Sequence, residues 1–313
     1  MKSINAAVIQ AGSKLFDTPA TLEKFADLAA DAAARGARLA VFPEAFIGGY
    51  PKGADFGARI GSRSAEGREL FRRYFDSAIR LDGPEAAMIC ETAKANMLDI
   101  VVGIIERASP EEGAATLYCT ALYVAKSGEI VGKRRKVMPT AMERLIWGFG
   151  DGSTLDAWES EYGKIGAAIC WENYMPALRL ALYGQGVELY CAPTVDDRES
   201  WATTMRTVAL EGRCFVLSAC QYMTRADAPA DFAPIQGDDP QAVLINGGSV
   251  IVSPLGDVLA GPVYGEEAVL TADLDAGDIA RGKFDFDVSG HYARPDIFSL
   301  HVDRRRKHPL SDE

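Results

Sequence analysis

The chain has 313 residues, 48% hydrophobic and 25% charged, a balance that excludes wholesale disorder and supports a large core without disulfide staples. Lys and Arg number 33 against 44 Asp and Glu, and the formal net charge of −11 argues against a nucleic-acid partner. No run approaches the roughly 18 apolar residues of a membrane span, and the N-terminus enters a strand pattern rather than a secretory leader, so no membrane partner and a cytoplasmic location are expected.

Along the chain, Ala6–Gln10 reads as the first strand. Thr18-Pro19 signals a helix start, and the helix runs to Arg35, where Gly36 ends it. Its Leu22, Phe25, Ala29 and Ala33 share one face. Leu39–Phe42 is a buried strand stopped by Pro43. A second helix follows Gly83-Pro84, with Ala87, Met88 and Cys90 as its small apolar residues, and Ile100–Glu106 is the next strand. Thr116–Ala125 and Ile130–Lys133, joined by Lys126–Glu129, predict a hairpin. Lys164–Ile169, Glu188–Ala192, Cys214–Gln221 and Gly248–Val252 are further strands, and helices at Pro176–Gln185 and Ser200–Arg213 separate three of them. Ala226–Asp239 reads as a surface loop, and Ser253–Asp257 as a turn into Val258–Ala260 and Ala268–Leu274. Alternating helices and strands predict an α/β layered architecture. No linker or composition break divides the chain, so one domain over residues 1–313 is expected, with 291–313 as a C-terminal tail.

Three apolar strands stop at a reactive or polar group. Leu39–Glu44 ends in a carboxylate, Ile165–Cys170 in a thiol and Glu188–Thr194 in a hydroxyl. Such strand ends are where α/β proteins place their sites. A fourth candidate, Lys136, directly follows a hairpin strand. A thiol attacks only as thiolate, so its proton needs a nearby base. The histidines, His291, His301 and His308, all lie in the last 23 residues, far in sequence from Cys170. A partly desolvated Glu44 can take that proton, and Lys136 can stabilise the thiolate and the charge developing on a substrate. On composition alone, Lys133–Lys136 and Arg304–Lys307 both read as solvated basic runs. The six cysteines form no Cys-x-x-Cys pair, so neither a zinc site nor a disulfide framework is expected.

These segments resemble the nitrilase superfamily, and within it the nitrilase branch. Phe42–Pro51 is similar to the catalytic-glutamate motif, Arg135–Thr140 to the lysine motif and Cys170–Pro176 to the nucleophile motif. Glu143–Ser153, Ser200–Gln221 and His291–Phe298 are similar to further family segments in the same order. The resemblance implies an α-β-β-α sandwich with Glu44, Lys136 and Cys170 as catalytic triad. It adds Glu143 as a second glutamate beside the lysine, a residue that would otherwise read as an exposed helix charge. It implies hydrolysis of a small-molecule nitrile to the acid and ammonia through a cysteine thioimidate and thioester. Lys136 and the Trp171 N–H would steady the developing charge, without a metal or organic cofactor. It also implies a homodimer built sheet on sheet, or a larger homo-oligomer. Arg134 departs from the histidine that nitrilases often carry before the Arg-Lys pair. Tyr50, Trp147, Trp171 and Tyr174 beside the motif residues suggest a pocket for aryl or arylaliphatic nitriles, with Thr194 added as a binding hydroxyl. The alternative is an amidase or N-carbamoyl hydrolase using the same triad.

Overall fold

A computed structural model describes residues 2–113 and 115–307. His308 and the rest of the expected tail to residue 313 lie outside the described residues. Among these, six strands form one sheet in the order Ala268–Leu274, Ile4–Gln10, Leu39–Val41, Asp99–Arg107, Leu117–Val124, Ile130–Arg135. The second sheet runs Tyr222–Thr224, Val243–Val252, Phe215–Ser218, Leu189–Cys191, Gly163–Ala167, Trp158–Ser160, with Val258–Tyr264 also paired to Val243–Val252. The central strands of each sheet run parallel and the outer ones antiparallel.

Side chains alternate across a strand, so each strand feeds two cores at once. Ala6, Val8, Val41, Val101 and Cys119 face Ala167, Leu189, Cys191 and Leu217 across the gap between the sheets. The intervening Ala7, Ile9, Ala40, Ile100 and Val102 pack instead on helices Thr18–Ala34 and Pro84–Ala95. On the second sheet, Ala168, Tyr190, Val216 and Val250 meet helices Pro176–Tyr183 and Ser200–Gly212. The result is the expected four-layer α-β-β-α sandwich. Helices already cover the outer faces, so subunits joining sheet on sheet would have to meet through those helices.

Several local readings need correction. The first helix is capped by Asp17, whose side chain accepts the Ala20 N–H at 3.0 Å, and its inner face uses Ala32 rather than Ala33. Helix Pro84–Ala95 buries Ala86, Ile89 and Ala93, and leaves Met88 about half exposed, one phase away from the expected face. The strand before Cys170 stops at Ala167, and Cys170–Tyr174 form a 3-10 turn. Unforeseen elements include helix Ala65–Ser77, capped by Ser64, and helix Gly277–Asp285. Helix Ala65–Ser77 is amphipathic, with Tyr74 buried and Leu70, Phe71 and Phe75 packed against the core, so its periodicity is a legible signal that the sequence reading passes over. No helix of the described residues is long and apolar enough to cross a membrane.

Candidate active site

Glu44 follows the buried strand Leu39–Val41 and enters the gap between the sheets, with no exposed surface. The chain passes so close to its neighbour that a Cβ on Gly103 would lie 2.1 Å from the Pro43 carbonyl oxygen. Only glycine fits there. From the second sheet's side, Gln221 Nε2 donates to the Glu44 carbonyl at 2.8 Å. Both halves of the sandwich therefore fix this residue.

Lys136 sits one residue beyond strand Ile130–Arg135. Its N–H donates to the Cys119 carbonyl at 2.8 Å, and its carbonyl accepts the Gly150 N–H at 2.8 Å. Its buried Nζ donates to Glu44 Oε1 at 2.6 Å and to Glu143 Oε2 at 2.7 Å. Glu143 lies in the 3-10 segment Ala141–Leu145 and also accepts the Thr140 N–H at 2.6 Å and the Tyr50 hydroxyl at 2.9 Å. The expectation of a solvated Lys133–Lys136 run is overturned. Arg134, Arg135 and Lys136 are buried, because the strand carries them into a set of buried carboxylates.

Cys170 has a left-handed backbone, φ 49°, a conformation costly for any residue with a Cβ and concentrated at functional turns. Its N–H donates to the Pro193 carbonyl at 2.8 Å, and the Thr194 hydroxyl donates to its sulfur at 3.2 Å. Glu172 fastens this turn to the lysine segment. Its buried carboxylate accepts the Ile169 N–H (2.8 Å), the Val137 N–H (2.6 Å) and Arg134 Nη2 (2.8 Å).

Burial raises the Glu44 carboxyl above the usual carboxylate range; Lys136 pulls it back and Glu143 pushes it further up. Burial also pushes the Cys170 thiol well above an ordinary thiol, assisted by Glu44 and opposed by Lys136 and the Thr194 hydroxyl. For Lys136, burial favours the neutral amine, but Glu44, Cys170 and Glu143 outweigh it and hold the ammonium. The resting site thus holds a protonated thiol beside Glu44 and a fixed cation. Thiol deprotonation there needs a base that accepts the proton directly.

A cavity of about 240 Å³ opens over Cys170, walled by Tyr50, Lys52, Glu143, Trp171 and Arg198. Tyr50, Lys52 and Glu143 also line an adjoining cavity of about 110 Å³, where Phe56, Met142, Ile146 and Trp147 supply apolar surface. Trp147 is nearly buried, with its ring 5.4 Å from Lys136 Nζ. Trp171 is instead 43% exposed at the rim, pinned by Asp196 Oδ2 at 2.8 Å and stacked on Arg198. Thr194 is buried behind the thiol rather than in the cavity wall, so its contact is with the sulfur and not with open space. Cys119 and the Asp196–Arg198 pair carry no sequence signal separable from ordinary core or loop residues, whereas Glu172 lies within the Cys170–Pro176 motif but drew no role of its own. Among the described residues, no three His, Cys, Asp or Glu side chains gather as a metal site.

A family profile for carbon-nitrogen hydrolases matches residues 5–284. The chain belongs to the carbon-nitrogen hydrolase family. Within that family it groups with the nitrilases. It is 57% identical to an aliphatic nitrilase of Sinorhizobium fredii, covering 98% of each chain. It is 52% identical to a bifunctional nitrilase/nitrile hydratase of Nicotiana tabacum, over 99% of this carbon-nitrogen hydrolase and 88% of the relative. In fold it is similar to an amidase of the nitrilase superfamily from Nesterenkonia, with a TM-score of 0.67 and 19% identity over 90% of this chain and 94% of the other.

Proposed function

We propose that this enzyme converts an organic nitrile and two waters into a carboxylic acid and ammonia, with Cys170 as nucleophile, Glu44 as base, and Lys136 and Glu143 as its charged frame. The observation that carries the reading is the convergence of these four side chains from separate loops into one buried, ion-paired site. Cys170 Sγ attacks the nitrile carbon while its proton passes to Glu44 and on to the nitrogen, giving a thioimidate. Lys136 Nζ and the backbone N–H of Trp171 stabilise the nitrogen as charge develops. Glu44 then deprotonates a water that adds to the same carbon, ammonia leaves, and a thioester remains. A second water, activated the same way, releases the acid and restores the thiol. Thr194 keeps the sulfur aimed.

We further propose that arylaliphatic nitriles suit the site, with the nitrile at Cys170 and the ring in the apolar side cavity of Tyr50, Phe56, Ile146 and Trp147. That cavity, about 110 Å³ and open on one side, approaches the roughly 150 Å³ apolar void that holds benzene. The aliphatic and bifunctional names of the relatives make linear nitriles and amide release the comparisons to run. Ammonia release across arylaliphatic, aryl and linear nitriles, each with its matched amide, tests both parts. The expected result is turnover of nitriles, fastest for arylaliphatic ones, and its loss in Cys170→Ala at normal protein yield. Turnover of amides alone would make the protein an amidase, and full activity in Cys170→Ala would overturn the mechanism. Prolonged EDTA should leave the rate unchanged. A homodimer or larger homo-oligomer in the cytoplasm completes the proposal, and light scattering and cell fractionation check it.

A further inference from the structure

A second thiol lies against the proposed base. Cys119 belongs to strand Leu117–Val124 and faces the gap between the sheets with 1% of its surface exposed. Its sulfur stands 3.5 Å from Glu44 Oε1, in donor geometry. The same residue's carbonyl accepts the Lys136 N–H at 2.8 Å. One strand position therefore holds the backbone of the lysine and the side chain of the glutamate that it pairs with.

The two oxygens of Glu44 are treated differently. Oε1 accepts Lys136 Nζ at 2.6 Å and the Cys119 thiol at 3.5 Å. Oε2 is buried and has no hydrogen-bond partner among the described residues. A buried carboxylate oxygen left unpaired is costly unless something else occupies it during function. Cys170 is close enough to favour the charged form of this carboxylate, so Glu44 belongs to the site and not to the core. Burial, reinforced by Glu44, keeps Cys119 protonated, and it acts as a donor and not as a second nucleophile.

We propose that Cys119 is a positioning residue for the base, its thiol joining Lys136 on Oε1 of Glu44 so that Oε2 stays free and aimed for proton exchange with Cys170 and the attacking waters. The inference rests on Glu44 being the base. A thiol suits the task because S–H is a weak donor, which orients a carboxylate without strongly lowering its basicity. Lacking that donor, the carboxylate can turn about its last bond and offer Lys136 either oxygen. The other titratable groups facing Glu44 are Lys136, Glu143, Cys170, Tyr50 and Tyr74, none of which a Cys119 substitution alters chemically.

The test compares Cys119→Ser, Cys119→Ala and Cys119→Val with wild type, using kcat, KM and the acidic limb of the pH profile on one good nitrile. Val controls for volume without a donor, and Ser keeps a donor. The expected result is a kcat about tenfold lower in Ala and Val, a fraction of the 10²–10⁴ that a base supplies, with KM within about twofold. Their acidic limb moves to higher pH, since a hydrogen bond to the charged form is lost. Ser restores most of kcat and brings the limb back to the wild-type position or below. Wild-type kcat and pH profile in Val, or losses in Ser equal to those in Ala, would overturn the proposal. Glu44→Gln is measured alongside. An active Glu44→Gln removes the base itself from the argument, whereas an inactive one beside a wild-type-like Val variant removes only Cys119.

Discussion

Two basic runs with almost the same sequence meet opposite fates in this molecule. Lys133-Arg134-Arg135-Lys136 ends an edge strand with Arg134, Arg135 and Lys136 buried, and Arg304-Arg305-Arg306-Lys307 crosses the surface. In the first, Arg134 pairs with Glu172 at 2.8 Å with both side chains fully buried, and Arg135 forks onto Glu106 and Glu112. Lys136 takes Glu44 and Glu143. In the second, Arg304 reaches Asp156, Arg305 and Lys307 reach Asp303, and Arg306 shares Glu112 with Arg135, while the side chain of Arg305 stays 82% exposed. Both runs are paired, so pairing alone separates nothing. The difference is desolvation. Removing one partner of a buried pair strands an unpaired charge and costs about 3–5 kcal/mol, whereas an exposed pair contributes roughly 0–1 kcal/mol.

The largest expected effect tests the inner run where it meets chemistry. Lys136→Ala should abolish turnover, and Lys136→Arg should lose at least about 10²-fold although it keeps the charge. The planar guanidinium cannot sit at one point between Glu44 and Glu143, and a 1 Å displacement costs that much. Steady-state turnover with circular dichroism as a folding control decides it. Near-wild-type turnover in Lys136→Arg would erase the contrast with the tail. Glu143→Gln keeps shape, removes a charge beside Lys136, and should lower turnover less severely in the same assay.

Next comes the pair without direct chemistry. Arg134→Met should lower unfolding stability by about 3–5 kcal/mol in urea titration, because Glu172 is left buried without its cationic partner. A loss below about 1 kcal/mol would place Arg134 with the tail.

A pH series sharpens the comparison further. Paired with Arg135 and Lys133, Glu106 is held below the usual carboxylate range despite the burial that opposes it. A depressed folded-state carboxyl stabilises the fold above its unfolded value near 4.3, and that contribution disappears as pH falls through the lower folded value. Wild-type stability should therefore fall below about pH 4.5. Glu106→Gln should be less stable at neutral pH and show a flatter acid dependence, as read by thermal melts from pH 7 to 3. The smallest effect belongs to the tail. Arg305→Ala and Lys307→Ala should each change stability by no more than about 1 kcal/mol, and that change should shrink further at high salt as exposed charges are screened. Turnover should stay at the wild-type rate.

The sequence by itself determined the layered α/β architecture, because apolar runs of strand length and helix-period stretches alternate with clear turn residues between them. It also marked Glu44, Lys136 and Cys170, since Glu44 and Cys170 follow apolar strands, Lys136 follows a hairpin strand, and all three sit in motifs similar to those of one family. Tertiary structure alone decided which face of Pro84–Ala95 turns inward, since small residues on several faces leave the phase open until a neighbouring helix and sheet select it. It alone decided that Arg134–Lys136 is buried while Arg304–Lys307 is not. Charge composition is identical in kind, and burial depends on Glu44, Glu106, Glu143 and Glu172, which arrive from distant parts of the chain. It alone placed Cys119 against Glu44 and Glu172 between the nucleophile turn and the lysine segment. A buried thiol on a strand looks like any small core residue until the side chain beside it is known.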